Sequence, residues 1–118
     1  MADDALDADL YARLLPIFVA EATHHLGEIE AAILLLAQYP ENEDALSALA
    51  RSVHTIKGNA ASLGMREIVL ETQRLEWWVT DQALRRATAG LAALHDARRA
   101  LRRLLDEVAS DADFRGTP

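Results

Sequence analysis

The sequence predicts an all-α domain that folds as an antiparallel four-helix bundle. Apolar residues recur at spacings of three and four in every long segment, which is the periodicity of an amphipathic helix. No segment shows the alternation of apolar and polar residues that a half-buried strand requires. Only a few residues separate consecutive segments, and short connections make neighbouring helices antiparallel. The 118 residues suffice for one domain, which we expect over residues 1–110.

The first helix is predicted from about Leu10 to Gln38. Its apolar residues form one continuous stripe, which comprises Phe18, Ala22, Leu26, Ile29, Ile33 and Leu36. Pro16 lies inside this pattern and removes a backbone hydrogen-bond donor, so we expect either a kink there or a short extra helix before it. Tyr39 precedes Pro40, and a residue before proline avoids the helical conformation, so the segment ends here.

The second and third helices follow with clear end signals. The second is predicted to open at Asn42, a good N-cap, and to end before Gly64, a natural residue just beyond a helix. Its stripe comprises Leu46, Leu49, Val53, Ile56, Ala60 and Leu63. The third is predicted from about Arg66 to Thr80. Its expected core residues are Ile68, Leu75 and Val79. Trp77 and Trp78 are interpreted as packing residues, one of them partly exposed.

The fourth helix is predicted as one segment from about Asp81 to Ala109. Its stripe comprises Leu84, Ala87, Leu91, Leu94, Ala97, Leu101, Leu104 and Val108. Gly90 costs about 1 kcal/mol relative to alanine inside a helix, so we expect it to permit close packing. The residues after Ser110 are polar and include glycine and proline. Residues 111–118 are therefore expected to form a tail that begins a linker.

The composition restricts the partners and the compartment. The formal net charge of −7 argues against nucleic acid as the main partner, because phosphate binding needs a basic surface. There is no cysteine, which excludes disulfides and cysteine-based zinc sites. No apolar run approaches the roughly 18 residues that span a bilayer, and the acidic N-terminus lacks the features of a secretory signal. We therefore expect a cytoplasmic protein without membrane insertion.

Half of the basic residues lie in the predicted fourth helix. They are Arg85, Arg86, Arg98, Arg99, Arg102 and Arg103. This set has two interpretations. It can be a solvated helix face paired with nearby acidic residues, or a surface that binds a partner.

His54 is the leading candidate for a functional residue. It follows Val53 of the apolar stripe, so it lies about 100° around the helix, on its flank. Lys57 and Gly58 lie one turn further on, and Ala61 continues the same strip. A neutral imidazole is nucleophilic because its unperturbed pKa is about 6.5, and Lys57 can stabilise the oxygens of a transferring phosphoryl group. The small side chains allow another protein's active site to approach.

The motif His54-Thr55-Ile56-Lys57-Gly58, with Gly64 closing the segment, resembles the signature of histidine-containing phosphotransfer (HPt) domains. The resemblance covers nearly the whole chain. With the stretch Phe18-Val19-Ala20-Glu21-Ala22, it is most similar to the N-terminal phosphotransfer domains of CheA-type chemotaxis histidine kinases. It implies that a histidine kinase catalytic domain phosphorylates His54. The aspartate of a CheY-like response regulator receiver domain would then take the phosphoryl group.

The same resemblance implies roles for residues around the histidine. Glu76 would accept the proton on Nδ1 of His54 and leave Nε2 free as the nucleophile, and Gln73 would line the site one turn earlier. The residues expected to contact a partner are Thr55, Gly58 and Ala61. Two positions depart from the family pattern. Gln73 stands where a second histidine is common, and Asn59 stands where a small residue is common.

No cofactor or metal is expected in this domain. The chain has neither a P-loop nor a kinase-type glycine-rich loop, so ATP and Mg²⁺ would be bound by partner domains. His24 and His25 are adjacent and point about 100° apart, which argues against a shared metal ion. We expect a monomeric domain, either free-standing or part of a larger histidine kinase. The alternative function is a helical adaptor that only binds a partner, with His54 incidental.

Overall fold

The computed structural model describes residues 7–87 and 89–115, and within these ranges it is helical and contains no strand. The helices are α1 (Ala8–Gln38), α2 (Glu43–Ser62), α3 (Arg66–Thr80), α4 (Gln82–Arg86) and α5 (Gly90–Arg115). The four long helices form the bundle, in which α1 and α3 each pack against both α2 and α5. The predicted all-α bundle is confirmed. None of the described helices is long and apolar enough to cross a membrane.

Helix α1 continues without interruption through Pro16. Of the two alternatives expected at this proline, the separate short helix before it does not occur. The helix begins after Asp7, whose side chain accepts a hydrogen bond from the backbone N–H of Asp9 at 2.7 Å. All six residues of its predicted stripe are buried, as the helical periodicity requires.

Both ends of α2 agree with the sequence analysis. The Oδ1 atom of Asn42 accepts a hydrogen bond from the backbone N–H of Ala45 at 2.9 Å, which satisfies one of the free donors of the first turn. Gly64 adopts a φ of +74°, the left-handed conformation that glycine reaches without a steric penalty. The chain can therefore reverse into α3 within a few residues. This tight connection sets α2 and α3 side by side.

The prediction of one helix from Asp81 to Ala109 is wrong, because the chain forms α4 and then starts again at α5. The side chain of Asp81 accepts from the backbone N–H of Leu84 at 3.0 Å and starts the short α4. At Gly90 the backbones come so close that an added Cβ would collide with the carbonyl oxygen of Leu84. Trp78 Nε1 also donates to the carbonyl of Gly90 at 2.8 Å. The break consequently leaves two members of the predicted stripe exposed. These are Ala87 and Leu91.

The predicted helix end at Ala109 is also wrong, because α5 continues to Arg115. Ala112 extends the apolar spacing beyond Val108 and is buried, which keeps residues 111–115 in the helix rather than in a polar tail. Residues 116–118, and the acidic residues before Asp7, lie outside the described residues. A linker after residue 115 stays a prediction.

The core is built from apolar side chains of all four long helices. Its most deeply buried members include Leu15, Ile29, Ile33, Leu36, Leu49, Ile56, Leu75, Leu94 and Leu101. Trp78 is buried at 2% exposure while Trp77 is 58% exposed, in agreement with the predicted division between them. The helix pair α2 and α3 is therefore anchored on one side by this core. Its other side faces solvent.

Candidate functional site

His54 projects from the flank of α2, and 77% of its side chain is exposed. The neighbouring Val53 and Ile56 are fully buried, so the helix is held firmly beneath the imidazole. The position agrees with the flank predicted from the sequence. Because the ring is exposed and helix α2 is anchored in the core, the active site of another protein can reach the imidazole without a rearrangement of this domain.

Glu76 of α3 approaches the histidine from the facing helix. Its Oε2 atom lies 3.5 Å from Nδ1 of His54. Its other oxygen, Oε1, accepts a hydrogen bond from Nζ of Lys57 at 2.6 Å. One carboxylate therefore contacts both residues, and about three quarters of its side chain is buried. The structure brings together three of the four predicted catalytic residues around this carboxylate.

The carboxylate lies beside one of the two ring nitrogens of His54, Nδ1. A negative oxygen beside Nδ1 favours the tautomer with its proton on Nδ1, and the lone pair then lies on Nε2. The separation of 3.5 Å exceeds the usual range of a hydrogen bond, so the contact is mainly electrostatic. Lys57 holds Glu76 in place through the shorter contact. The geometry therefore favours the proton on Nδ1 and the lone pair on Nε2 of His54.

The remaining predicted residues surround this group with small or half-buried side chains. Gln73 is half-buried one turn before Glu76 on α3, and Asn59 is half-buried on α2. Thr55 is exposed, and its hydroxyl donates to the carbonyl of Arg51 at 3.0 Å. A Cβ added to Gly58 would meet no atom within 4 Å. Packing within the domain therefore gives no reason for the glycine, and the surface above it is open.

Sequence reasoning missed a polar cluster on the opposite side of α2. Ser52 is buried, and its hydroxyl donates to Oε1 of Glu28 on α1 at 3.1 Å. That hydrogen bond lowers the pKa of the Glu28 carboxyl below its ordinary value. Nδ1 of His25 and Nε2 of His24 lie 3.3 Å and 3.6 Å from the same oxygen. The spacing of three and four residues from the histidines to Glu28 is the signal that could have found this cluster.

The six arginines grouped in the sequence analysis are paired with acidic side chains. Arg98 and Arg102 both contact Glu30 of α1, the nearest contact being 2.7 Å, and the hydrogen bonds from Arg102 lower the pKa of this carboxyl. The other pairs are Arg85 and Arg86 with Glu41, Arg99 with Asp96, and Arg103 with Glu107. The structure therefore supports the interpretation as a solvated, ion-paired face.

Comparisons with known proteins agree with the geometry. The sequence model of the Hpt domain family matches residues 13–111. The chemotaxis protein CheA of Treponema pallidum is 38% identical over 73 residues, which are 62% of this chain and 9% of that protein. The chemotaxis protein CheA of Listeria monocytogenes is 33% identical over 63 residues, which are 53% of this chain and 10% of that protein.

The chain thus corresponds to only about a tenth of the length of these relatives. No solved structure matches it significantly. The family match nevertheless extends over most of the sequence and includes α2 and α3 with the histidine, the lysine and the facing carboxylate. The resemblance seen in the sequence is confirmed, and the chain belongs to the Hpt domain family.

Proposed function

We propose that this chain is a phosphotransfer domain of a chemotaxis signalling system, in which His54 carries the phosphoryl group. A histidine kinase catalytic domain supplies the group from ATP, and the aspartate of a response regulator receiver domain accepts it. The observation that carries the proposal is the carboxylate of Glu76 beside Nδ1 of an exposed histidine. This arrangement supports a nucleophilic Nε2 at the surface, where two different proteins can reach it in turn.

The first transfer forms one bond and breaks one. The lone pair of Nε2 attacks the γ-phosphorus of ATP, a P–N bond forms, and the bond to the β,γ-bridging oxygen breaks to release ADP. The proton stays on Nδ1, so the imidazole gains positive character, which the negative charge of Glu76 stabilises. In the second transfer a carboxylate oxygen of the receiver attacks phosphorus, and the electrons of the P–N bond return to Nε2. Partner domains supply the Mg²⁺ and the nucleotide.

Lys57 serves the transferring group by its charge. It lies one turn from His54 on the same helix, within reach of oxygens bound to a phosphorus on Nε2. In a loose transition state the negative charge lies on the equatorial oxygens, which an ammonium group stabilises. While His54 is unmodified, the same ammonium is bound to Glu76. Lys57 thus contacts the orienting carboxylate and stays available to the phosphoryl group.

The proposal extends to the protein that contains this domain. The matched region makes up only about a tenth of each relative, and these relatives bear the name of a chemotaxis protein, so we propose that the domain belongs to a larger CheA-like histidine kinase. Because its phosphoryl donor is ATP, we place its activity in the cytoplasm. The preferred receiver is the one that accepts the group fastest when phosphorylated chain is offered to a panel of receivers.

The test is phosphorylation by a cognate kinase catalytic domain with radiolabelled ATP. We expect acid-labile, base-stable label on the unmodified chain and none on the variant His54→Gln. The matched control is His24→Gln, another exposed histidine, which should keep the label. Label that survives on His54→Gln would contradict the proposal. Absence of label on the unmodified chain, together with normal signalling by His54→Gln, would instead favour the helical adaptor.

A further inference from the structure

Arg85 is the most buried of the six ion-paired arginines. Only 9% of its side chain is exposed, whereas the side chains of the other five are between 23% and 69% exposed. Arginine is rarely buried unless its donors are paired, because the guanidinium stays charged. The Nε atom of Arg85 is nevertheless buried without a hydrogen-bond partner among the described residues. Its other contacts must therefore compensate for this cost.

Two contacts of Arg85 join the ends of the two helices that carry the site. Its Nη1 atom donates to the backbone carbonyl of Val79, one of the carbonyls that the last turn of α3 leaves without an intrahelical partner. Its Nη2 atom donates to Oε2 of Glu41 at 3.2 Å. Glu41 lies in the turn between α1 and α2, directly before Asn42, the N-cap of α2. One side chain thus connects the end of α3 with the start of α2.

The contact with Val79 lies one turn beyond Glu76 on α3. Three residues of helix correspond to about 4.5 Å along its axis. The last carbonyls of a helix lack intrahelical partners, so its final turn frays unless other groups bind them. The carboxylate of Glu76 lies 3.5 Å from Nδ1 of His54, already beyond the usual length of a hydrogen bond. A small displacement of this turn would therefore weaken the contact further.

The short helix α4 brings Arg85 back onto α3. The side chain of Asp81 accepts a hydrogen bond from the backbone N–H of Leu84 at 3.0 Å, and its carbonyl accepts from the backbone N–H of Arg85 at 3.0 Å. These two hydrogen bonds fix the backbone of α4 directly after the end of α3. The side chain of Arg85 then reaches Val79, six residues earlier in the sequence. The short helix thus places a hydrogen-bond donor at the end of α3.

We propose that Arg85 is a positioning residue for the phosphorylation of His54, which acts by holding the last turn of α3 and, through it, the carboxylate of Glu76. The inference rests on the proposed function. Without Arg85 the last turn of α3 frays, and the carboxylate spends more time away from Nδ1 of His54. The proton is then held less firmly on Nδ1, so Nε2 carries the attacking lone pair less often. Arg85 acts only through Glu76 and is not itself a catalytic residue.

The test compares Arg85→Gln with its matched control, Arg86→Gln. Both remove one positive charge from α4 and one contact with Glu41, but the hydrogen bond to α3 belongs to Arg85. Arg85→Met is a second variant that keeps the apolar stem and its packing. Each chain is measured for its initial rate of labelling by the kinase catalytic domain at saturating ATP. The nitrogen chemical shifts of the His54 ring, recorded where the imidazole is neutral, report its tautomer, and urea unfolding reports stability.

For Arg85→Gln and Arg85→Met we expect labelling about threefold to tenfold slower than for the unmodified chain. The proton of His54 should shift from Nδ1 towards Nε2 in both variants. The rate and the tautomer of Arg86→Gln should not change. In a chain that already carries Glu76→Gln, the further change Arg85→Gln should have no effect on the rate, because no carboxylate is left to position.

Three outcomes would overturn the proposal. The first is an unchanged rate and tautomer in folded Arg85→Gln. The second is an equal loss of rate with and without the carboxylate of Glu76, which would show that Arg85 acts by another route. The third is unfolding of both Arg85 variants, which would show a purely structural role. If the unmodified chain is not labelled at all, the proposed function fails, whereas the tautomer comparison still tests the role of Arg85.

Discussion

Removal of the carboxylate at Glu76 should slow phosphorylation of His54 without unfolding the domain. The variant is Glu76→Gln, which keeps the size of the side chain and removes its charge. At 3.5 Å, two unit charges attract by about 1 kcal/mol in water and by about 5 kcal/mol at an effective dielectric constant near 20. Because most of the imidazole is exposed, the stabilisation of its developing positive charge lies near the lower value, about 1–2 kcal/mol.

A loss of this size corresponds to a rate about fivefold to thirtyfold lower. The assay is the initial rate of labelling by the kinase catalytic domain at saturating ATP, with Glu67→Gln as the control for loss of an acidic residue from α3. The nitrogen chemical shifts of the His54 ring provide a second measurement, since they distinguish the two tautomers. The proton should shift from Nδ1 towards Nε2 in Glu76→Gln. An unchanged rate and an unchanged tautomer would show that Glu76 does not orient the histidine.

Three further outcomes follow from the packing and the charges. Gly58→Leu should strongly reduce transfer to the receiver. Its stability to urea should be equal or higher, because the added Cβ meets no neighbour and leucine favours a helix over glycine by about 1 kcal/mol. A large loss of stability would instead indicate that Gly58 has a packing role. Gly90→Ala should destabilise the domain by about 1–3 kcal/mol, because the added Cβ would collide with the carbonyl of Leu84. Gly27→Ala should stabilise the domain by up to about 1 kcal/mol, because the space around Gly27 is open. Hydrogen bonds from Arg102 lower the pKa of the Glu30 carboxyl in the folded state. The ion pair therefore contributes fully to the stability of the domain above the ordinary pKa of 4.5, and this contribution is lost as the pH falls through the pKa of the folded state. Thermal unfolding across that range should therefore show less acid destabilisation for Glu30→Gln than for the unmodified chain, and identical curves would contradict this.

The long helices could be predicted because their sequence patterns are local. The stripe of α1 and the caps of α2 follow from spacing and from side-chain preferences, and the structure agrees with both. The flank position of His54 follows in the same way from its place after Val53. The prediction that Glu76 approaches His54 has a different basis. Glu67, Glu71 and Glu76 all lie on α3, and only the family resemblance indicated which of them faces the histidine.

The break between α4 and α5 could not be predicted from periodicity. The apolar spacing from Leu84 to Leu91 is regular, so a single helix agrees with it equally well. The break depends on contacts between residues that are distant along the chain, chiefly the hydrogen bond from Trp78 to the carbonyl of Gly90. The end of α5 was missed for another reason. Polar residues beyond Ser110 suggested a tail, whereas Ala112 still packs against the bundle.

The two adjacent tryptophans are intrinsic fluorescent probes in two different environments. The indole of Trp78 is enclosed between α3 and α5, so its emission should be blue-shifted and protected from iodide quenching. The indole of Trp77 is exposed to solvent, so its emission should be red-shifted and readily quenched. One fluorescence spectrum can therefore distinguish loosening of the helix bundle around Trp78 from coverage of the exposed Trp77. No external dye is needed to follow either change.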